Sequence, residues 1–183
     1  MRRARAFTLI ELLVVIAVVA ILLALVGPSM ADLLATQRVR NINAQLVTDF
    51  QFARSEAVRR KANVMVWFQG SDSMTCYVMT LVSNLGTCDC TATPGSVCSI
   101  REEIKTVQVP ASMSIRVAPV VGQTDTSVPF SADDGRISGT TPSVFRIDVV
   151  STRRGKLRTT VGLAGRPTVC SPDGSITGVP ACP

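Results

Sequence analysis

The chain has 183 residues, room for one domain plus a short appended piece, and its 46% apolar and 17% charged content excludes intrinsic disorder. It contains no histidine, which removes His-based triads, His-ligated metals and the commonest general base at neutral pH, and so points away from an enzyme. The formal charge of +6 is uneven: the last fifth of the chain, 146–183, carries six basic side chains against two acidic ones, a balance suited to an anionic partner.

The first six residues contain Arg2, Arg3 and Arg5, and from Phe7 to Val26 eighteen of twenty residues are apolar. As a helix rising 1.5 Å per residue, that run spans about 30 Å, the thickness of a bilayer core. It is too long for a cleaved secretory signal, and it ends in Gly27-Pro28-Ser29 without a small-residue cleavage pattern. The spacing predicts a single transmembrane helix with the basic leader in the cytoplasm. Glu11 lies inside this run, where an ionised carboxylate costs at least ~2.5–3.5 kcal/mol near mid-membrane. The run itself holds no Lys or Arg to balance it. A free α-amino group on Phe7, created by a cut after Ala6, would supply the missing cation, on this chain or a neighbouring one.

Ala6-Phe7-Thr8-Leu9-Ile10-Glu11-Leu12-Leu13 resembles the type IV prepilin signal, with Ala6 standing where that family usually has Gly. The resemblance implies cleavage between Ala6 and Phe7 by a prepilin peptidase, N-methylation of Phe7, and a filament-assembly role for Glu11. It also implies that residues 1–6 are a leader and 7–28 an inner-membrane and assembly helix. Residues 29–183 would then form a periplasmic domain.

Beyond Pro28, a residue able to kink or locally melt the helix, Ala35, Val39, Ile42, Leu46, Phe50, Ala53 and Ala57 recur at spacings of three or four. They predict an amphipathic helix over 29–61, continuous with the anchor, that serves as the spine of the domain. Arg38, Asn41, Gln45, Asp49, Glu56, Arg59 and Arg60 fall mostly on the opposite, polar face. From 62 to 162 the period changes. Strands are predicted at 63–69, 75–82, 100–109, 114–118, 143–150 and 156–161, separated by turn clusters such as Asp133-Asp134-Gly135 and Arg153-Arg154-Gly155. The fold class is α+β, a long N-terminal helix packed on an antiparallel β-sheet domain.

Phe52-Ala53-Arg54-Ser55-Glu56-Ala57, then Phe130 with Asp133-Asp134-Gly135-Arg136, then Gly165-Arg166, resemble motifs of the GspH/FimT minor pilins and pseudopilins. For Arg54 and Glu56 the expected role is pairing that supports the fold.

Six cysteines, Cys76, Cys88, Cys90, Cys98, Cys170 and Cys182, lack the paired spacing of a tetrahedral metal site, and no cofactor is expected. In an oxidising periplasm they read as three disulfides. Cys170 with Cys182 closes a C-terminal loop within 163–183, adding about 3 kcal/mol in the chain-entropy model. Cys88 with Cys90 would be strained, which leaves either 76–88 with 90–98 or 76–90 with 88–98.

The strands at 143–150 and 156–161 read as a hairpin whose buried face is Phe145, Ile147, Val149, Leu157, Thr159 and Val161. Arg146, Lys156 and Arg158 then point outward, Arg153 and Arg154 occupy the turn, and Arg166 follows. These six, opposed only by Asp148, are expected to form a positive stripe. Some FimT-type pilins bind DNA through a C-terminal G-R-x-R motif, of which Gly165-Arg166-Pro167-Thr168 carries the first Arg and lacks the second. The resemblance therefore implies a minor pilin that joins other pilins in a pilus and contacts double-stranded DNA in natural transformation. The alternative is a GspH-like pseudopilin of a type II secretion system without DNA binding.

Overall fold

Ala35, Val39, Leu46, Phe50, Ala53 and Ala57 are all buried along one face of the helix that carries them, with Ile42 partly covered beside them. In the computed structural model that helix is α1 (Leu9–Arg60). The structure describes residues 8–81, 88–99, 102–121, 123, 126–138 and 144–183, and not the side chains of 25–29. The expected strand positions Val82, Ile100 and Ser143 lie outside the described residues. Helix α1 ends by a double backbone clasp, Ala62 N to Ala57 O at 3.2 Å and Lys61 N to Val58 O at 3.3 Å, with Lys61 in the left-handed region at φ 50°.

Among the described residues eight strands follow, in two antiparallel four-stranded sheets. The first sheet holds β1 (Val64–Gly70), β2 (Met74–Leu81), β3 (Glu103–Pro110) and β5 (Ser127–Phe130), in the order β3-β2-β1-β5. The second holds β4 (Ile115–Pro119), β6 (Val144–Ser151), β7 (Lys156–Gly162) and β8 (Pro167–Cys170), in the order β4-β6-β7-β8. Two strands lay outside the sequence expectation, β5 and β8. Each is four residues long and contains a proline, Pro129 or Pro167, a residue that normally argues against a strand. Both lie at sheet edges, where one side of the strand needs no ladder bonds.

The C-terminal half of α1 packs on both sheets. Phe50 meets Phe68 of β1 and Phe130 of β5 at ring-centroid separations of 6.1 and 6.2 Å, and Phe68 continues to Tyr77 of β2 at 5.6 Å. Towards the second sheet, Asn43 accepts a hydrogen bond from the buried Thr159 hydroxyl at 2.8 Å. Among the described residues every buried side chain lies between Ala35 and Ile176, and all three disulfides fall in the same span or just beyond it. Residues 35–183 therefore carry the whole core and form one compact unit, with 1–34 a second.

Strand β2 is buried from Thr75 through Thr80, on both faces. Tyr77 and Met79 face the main core, whereas Cys76 and Val78 join Cys90 and Val97 in a separate small cluster edged by Trp67, Cys88 and Cys98. That second cluster exists because the segment 88–98 folds over the outer face of the first sheet. Two disulfides hold it, Cys76–Cys90 and Cys88–Cys98, one of the two pairings the sequence left open. Gln69 donates to Cys88 O and accepts from Cys90 N, both at 2.8 Å, and Gln108 donates to Cys90 O and Ala92 O. Cys170 pairs with Cys182 across a separation of 12 residues.

Asp49 and Glu56 depart from the expected polar helix face, for both are buried. The helix lies deep enough between sheet and strand ends that its flanks are covered as well as its apolar stripe. Asp49 receives the Tyr77 hydroxyl at 2.7 Å and Lys105 Nζ at 2.6 Å. Burial, with this carboxylate beside it, pushes the Tyr77 hydroxyl far above its ordinary range, so it stays protonated and donating. Removing the cation leaves the buried carboxylate with only the Tyr77 hydroxyl, so Lys105→Ala should cost about 1.5 kcal/mol, and Asp49→Asn should restore part of it in the double variant. Urea unfolding of residues 35–183 reads both values; equal stability of Lys105→Ala and wild type would refute the pairing.

Candidate functional site

Helix α1 starts at a threonine cap. Glu11 N donates to Thr8 Oγ1 at 3.3 Å, and Leu12 N donates to Thr8 O at 3.2 Å. Thr8 and Glu11 thus stand at the N-cap and third helical positions, a Thr-x-x-Glu spacing readable in the sequence and missed there. The Glu11 carboxylate sits in the first turn, where the helix dipole favours negative charge. Ala6 and Phe7 lie outside the described residues.

From Leu9 to Leu23 the large apolar side chains are exposed, from 46% at Val19 to 81% at Leu9. They point in every direction around the helix, not along one stripe, so this segment needs an apolar environment on all sides. Among the described residues no helix is long and apolar enough to cross a membrane. Of the expected span from Phe7 to Val26, Phe7 lies outside the described residues and the side chains of Leu25 and Val26 are not described.

The six basic residues expected as one stripe are divided by the structure. Pairing of β6 with β7 sets Phe145 opposite Val161, Ile147 opposite Thr159 and Val149 opposite Leu157, all buried, which turns residues 146, 156 and 158 to the other face. Asp148 also lies on that face, directly opposite Arg158. Arg158 grips both its oxygens, with Nε on Oδ1 at 2.7 Å and Nη2 on Oδ2 at 3.0 Å, and Lys156 Nζ shares Oδ2 at 2.7 Å. Burial alone would raise the Asp148 carboxyl, but the Arg158 and Lys156 hydrogen bonds prevail and hold it below the usual range. Lys156 and Arg158 are thus partly covered and committed to one carboxylate, and they do not belong to an open stripe.

Arg153 and Arg154 are exposed at the β6–β7 turn, while Arg166 is exposed just before β8, at the far end of β7. At ~3.3 Å per residue the two ends of that hairpin stand about 20 Å apart. Arg146 is exposed near the Arg166 end. Arg116 was missed: it is exposed on β4 beside Val150, near the turn arginines, and the alternation Ile115-Arg116-Val117 was its signal.

The three motif segments meet. Gly135 has φ 65°, and a Cβ there would stand 2.7 Å from Arg54 Cγ on the helix. Gly165 has φ 68°, and a Cβ there would stand 2.4 Å from Gly135 O. Only glycine permits either approach. Glu56 receives Arg59 at 2.9 and 2.7 Å and Arg60 at 2.6 Å, and Arg60 also pairs with Glu102. Asp133-Asp134-Gly135 forms a turn, with Asp134 accepting from Arg136 N at 3.0 Å. Among the described residues no cluster of three or more His, Cys, Asp or Glu side chains is placed to hold a metal ion.

A helix packed by its C-terminal half on two antiparallel sheets, headed by an apolar stretch that opens on a capped Glu, defines a pilin-type subunit. A family model for the prokaryotic N-terminal methylation motif matches residues 1–27, and one for type II transport protein GspH matches residues 43–165. The chain belongs to this GspH family. Among solved structures it resembles the type IV minor pilin FimU of Pseudomonas aeruginosa, with 16% identity, a TM-score of 0.51, and coverage of 73% of this chain and 88% of that one. A second crystal form of the same pilin gives a TM-score of 0.48 over 71% of this chain and 90% of that one, again at 16% identity. No curated protein matches the sequence.

Hydrogen bonds from Arg59 and then Arg60 hold the Glu56 carboxyl down at about 2, below its ordinary 4.5. A depressed folded value means that the cluster's stabilisation is present at neutral pH and is lost as pH falls from about 4.5 towards 2. The urea-midpoint difference between wild type and Glu56→Gln should therefore be largest at pH 7 and shrink through that window. A difference that stays constant with pH would refute the assignment.

Proposed function

We propose that this chain is a minor pilin, a structural subunit and not a catalyst, made as a precursor with residues 1–6 as leader and 7–28 as inner-membrane and assembly helix. Prepilin peptidase cuts it between Ala6 and Phe7 and methylates Phe7, and the subunit then joins other pilins. The observation that carries this reading is the apolar exposure of α1 from Leu9 to Leu23 with one carboxylate, Glu11, in its first turn. A helix apolar all round leaves water for lipid or for other such helices. Within that low-dielectric surrounding, Glu11 balances the new Phe7 amine of a neighbour and sets axial register. Glu11→Ala should leave a processed, folded chain that enters filaments poorly. Immunoblotting of sheared filaments against the membrane fraction reads this, and normal incorporation would count against it.

The basic C-terminal region supports a finer reading, non-specific contact with double-stranded DNA in natural uptake. With Lys156 and Arg158 held by Asp148, the contact falls to the exposed Arg116, Arg153 and Arg154 at one end, with Arg146 exposed at the other. Three or four phosphate contacts give an affinity that drops about 40- to 150-fold between 50 and 200 mM salt. Residues 35–183 should show that slope on duplex DNA, and replacing Arg116, Arg153 and Arg154 by Ala should flatten it. Absence of binding at 50 mM salt would favour the second reading, a subunit of a type II secretion pseudopilus, to which the neutralising Asp148 cluster already lends weight.

A further inference from the structure

Between α1 and the loops that precede β6 and β8 lies a cavity of about 500 Å³, lined by Gln51, Arg54, Ser55 and Val58 on one side and Asp134, Gly165, Arg166 and Pro167 on the other. It is where the three motif segments converge. Two guanidiniums line it, and neither has an ion-pair partner among the described residues. Arg54 is half-buried, with its Cγ and Nε packed beside Gly135, so its stem is held in place before anything binds. Arg166 is exposed across the opening.

We propose that this cleft seats an acidic side chain of a neighbouring filament subunit, its carboxylate clamped between Arg54 and Arg166, a proposal that rests on the filament-subunit reading. The lining has what such a guest needs. Two Arg forks match a carboxylate, the Gln51 amide and Ser55 hydroxyl offer further polar contacts to flanking backbone, and Val58 and Pro167 give an apolar wall for the methylene stem. The same lining is poor for a nucleic acid. Asp134 stands on the rim, over half exposed and only loosely paired with Arg136 at 3.4 Å, and would repel a chain of phosphates while tolerating one carboxylate between two arginines. No line of free cations continues from the cleft along β7, because Lys156 and Arg158 are held by Asp148.

The test uses the full-length chain in piliated cells, with p-benzoylphenylalanine in place of Ser55, an exposed position on the cleft wall. Irradiation should cross-link it within filaments to a pilin peptide that contains Asp or Glu, as read by mass spectrometry. Arg54→Gln with Arg166→Gln should lower that cross-link about tenfold or more, and Arg54→Lys with Arg166→Lys should retain part of it. Melting of residues 35–183 with the same substitutions controls for folding. A cross-link undiminished in the Gln variant, or attached to a peptide without an acidic residue, overturns the proposal. So does a loss of duplex DNA affinity with the cross-link unchanged, which would assign the cleft to nucleic acid. Normal filament entry by Glu11→Ala would sink the underlying reading instead, so the two failures are told apart.

Discussion

Everything in the folded unit depends on how closely one helix can lie against two sheets. Ala53 and Ala57 present only a methyl group to the interface, and both are fully buried. Their small size lets Phe50 reach the rings of Phe68 and Phe130 together, which joins β1 and β5 to the helix. The same close approach brings Arg54 onto Gly135, and Gly135 onto Gly165. A larger side chain at any of these four positions would prise the layers apart, at a cost of a few kcal/mol typical of overpacked cores.

Buried carboxylates organise the charge. Asp49, Glu56 and Asp148 are each nearly covered, and each draws two donors: Tyr77 with Lys105, Arg59 with Arg60, and Arg158 with Lys156. A carboxylate removed from water is tolerable only when paired and hydrogen-bonded. The result is that several cations counted in the net charge are spent internally, while Arg116 and Arg153 stay exposed. Local charge, not total charge, is what a partner meets.

Much of the fold was legible because its periods are clean. The helical stripe from Ala35 to Ala57 and the alternation Phe145-Ile147-Val149 carry their own geometry. The edge strands β5 and β8 were hidden by Pro129 and Pro167, which look like breakers until the sheet order shows that they stand at an edge. The burial of Asp49 and Glu56 was hidden because a helical wheel predicts which way a side chain points, not how far the neighbouring strands extend over it. For the same reason Asp148 read as a lone counter-charge: its hold on Arg158 comes from a cross-strand register of ten residues' separation that no local pattern encodes. Thr8 was legible, since Thr-x-x-Glu is a helix-start spacing, although the apolar run that follows it carries no helical period of its own to mark where the helix begins.

The segment 88–98 lies on the back of the first sheet as a stitched-on cover, fastened by Cys76–Cys90 and Cys88–Cys98 and by the amides of Gln69 and Gln108. Until those sulfurs are oxidised, the cover over Val78 is held by hydrogen bonds from Gln69 and Gln108 and by Gly95 N on the Glu103 carboxylate. Reduction would leave hydrogen bonds alone to hold that cover, and lifting it would bare the apolar outer face of β2 at Val78.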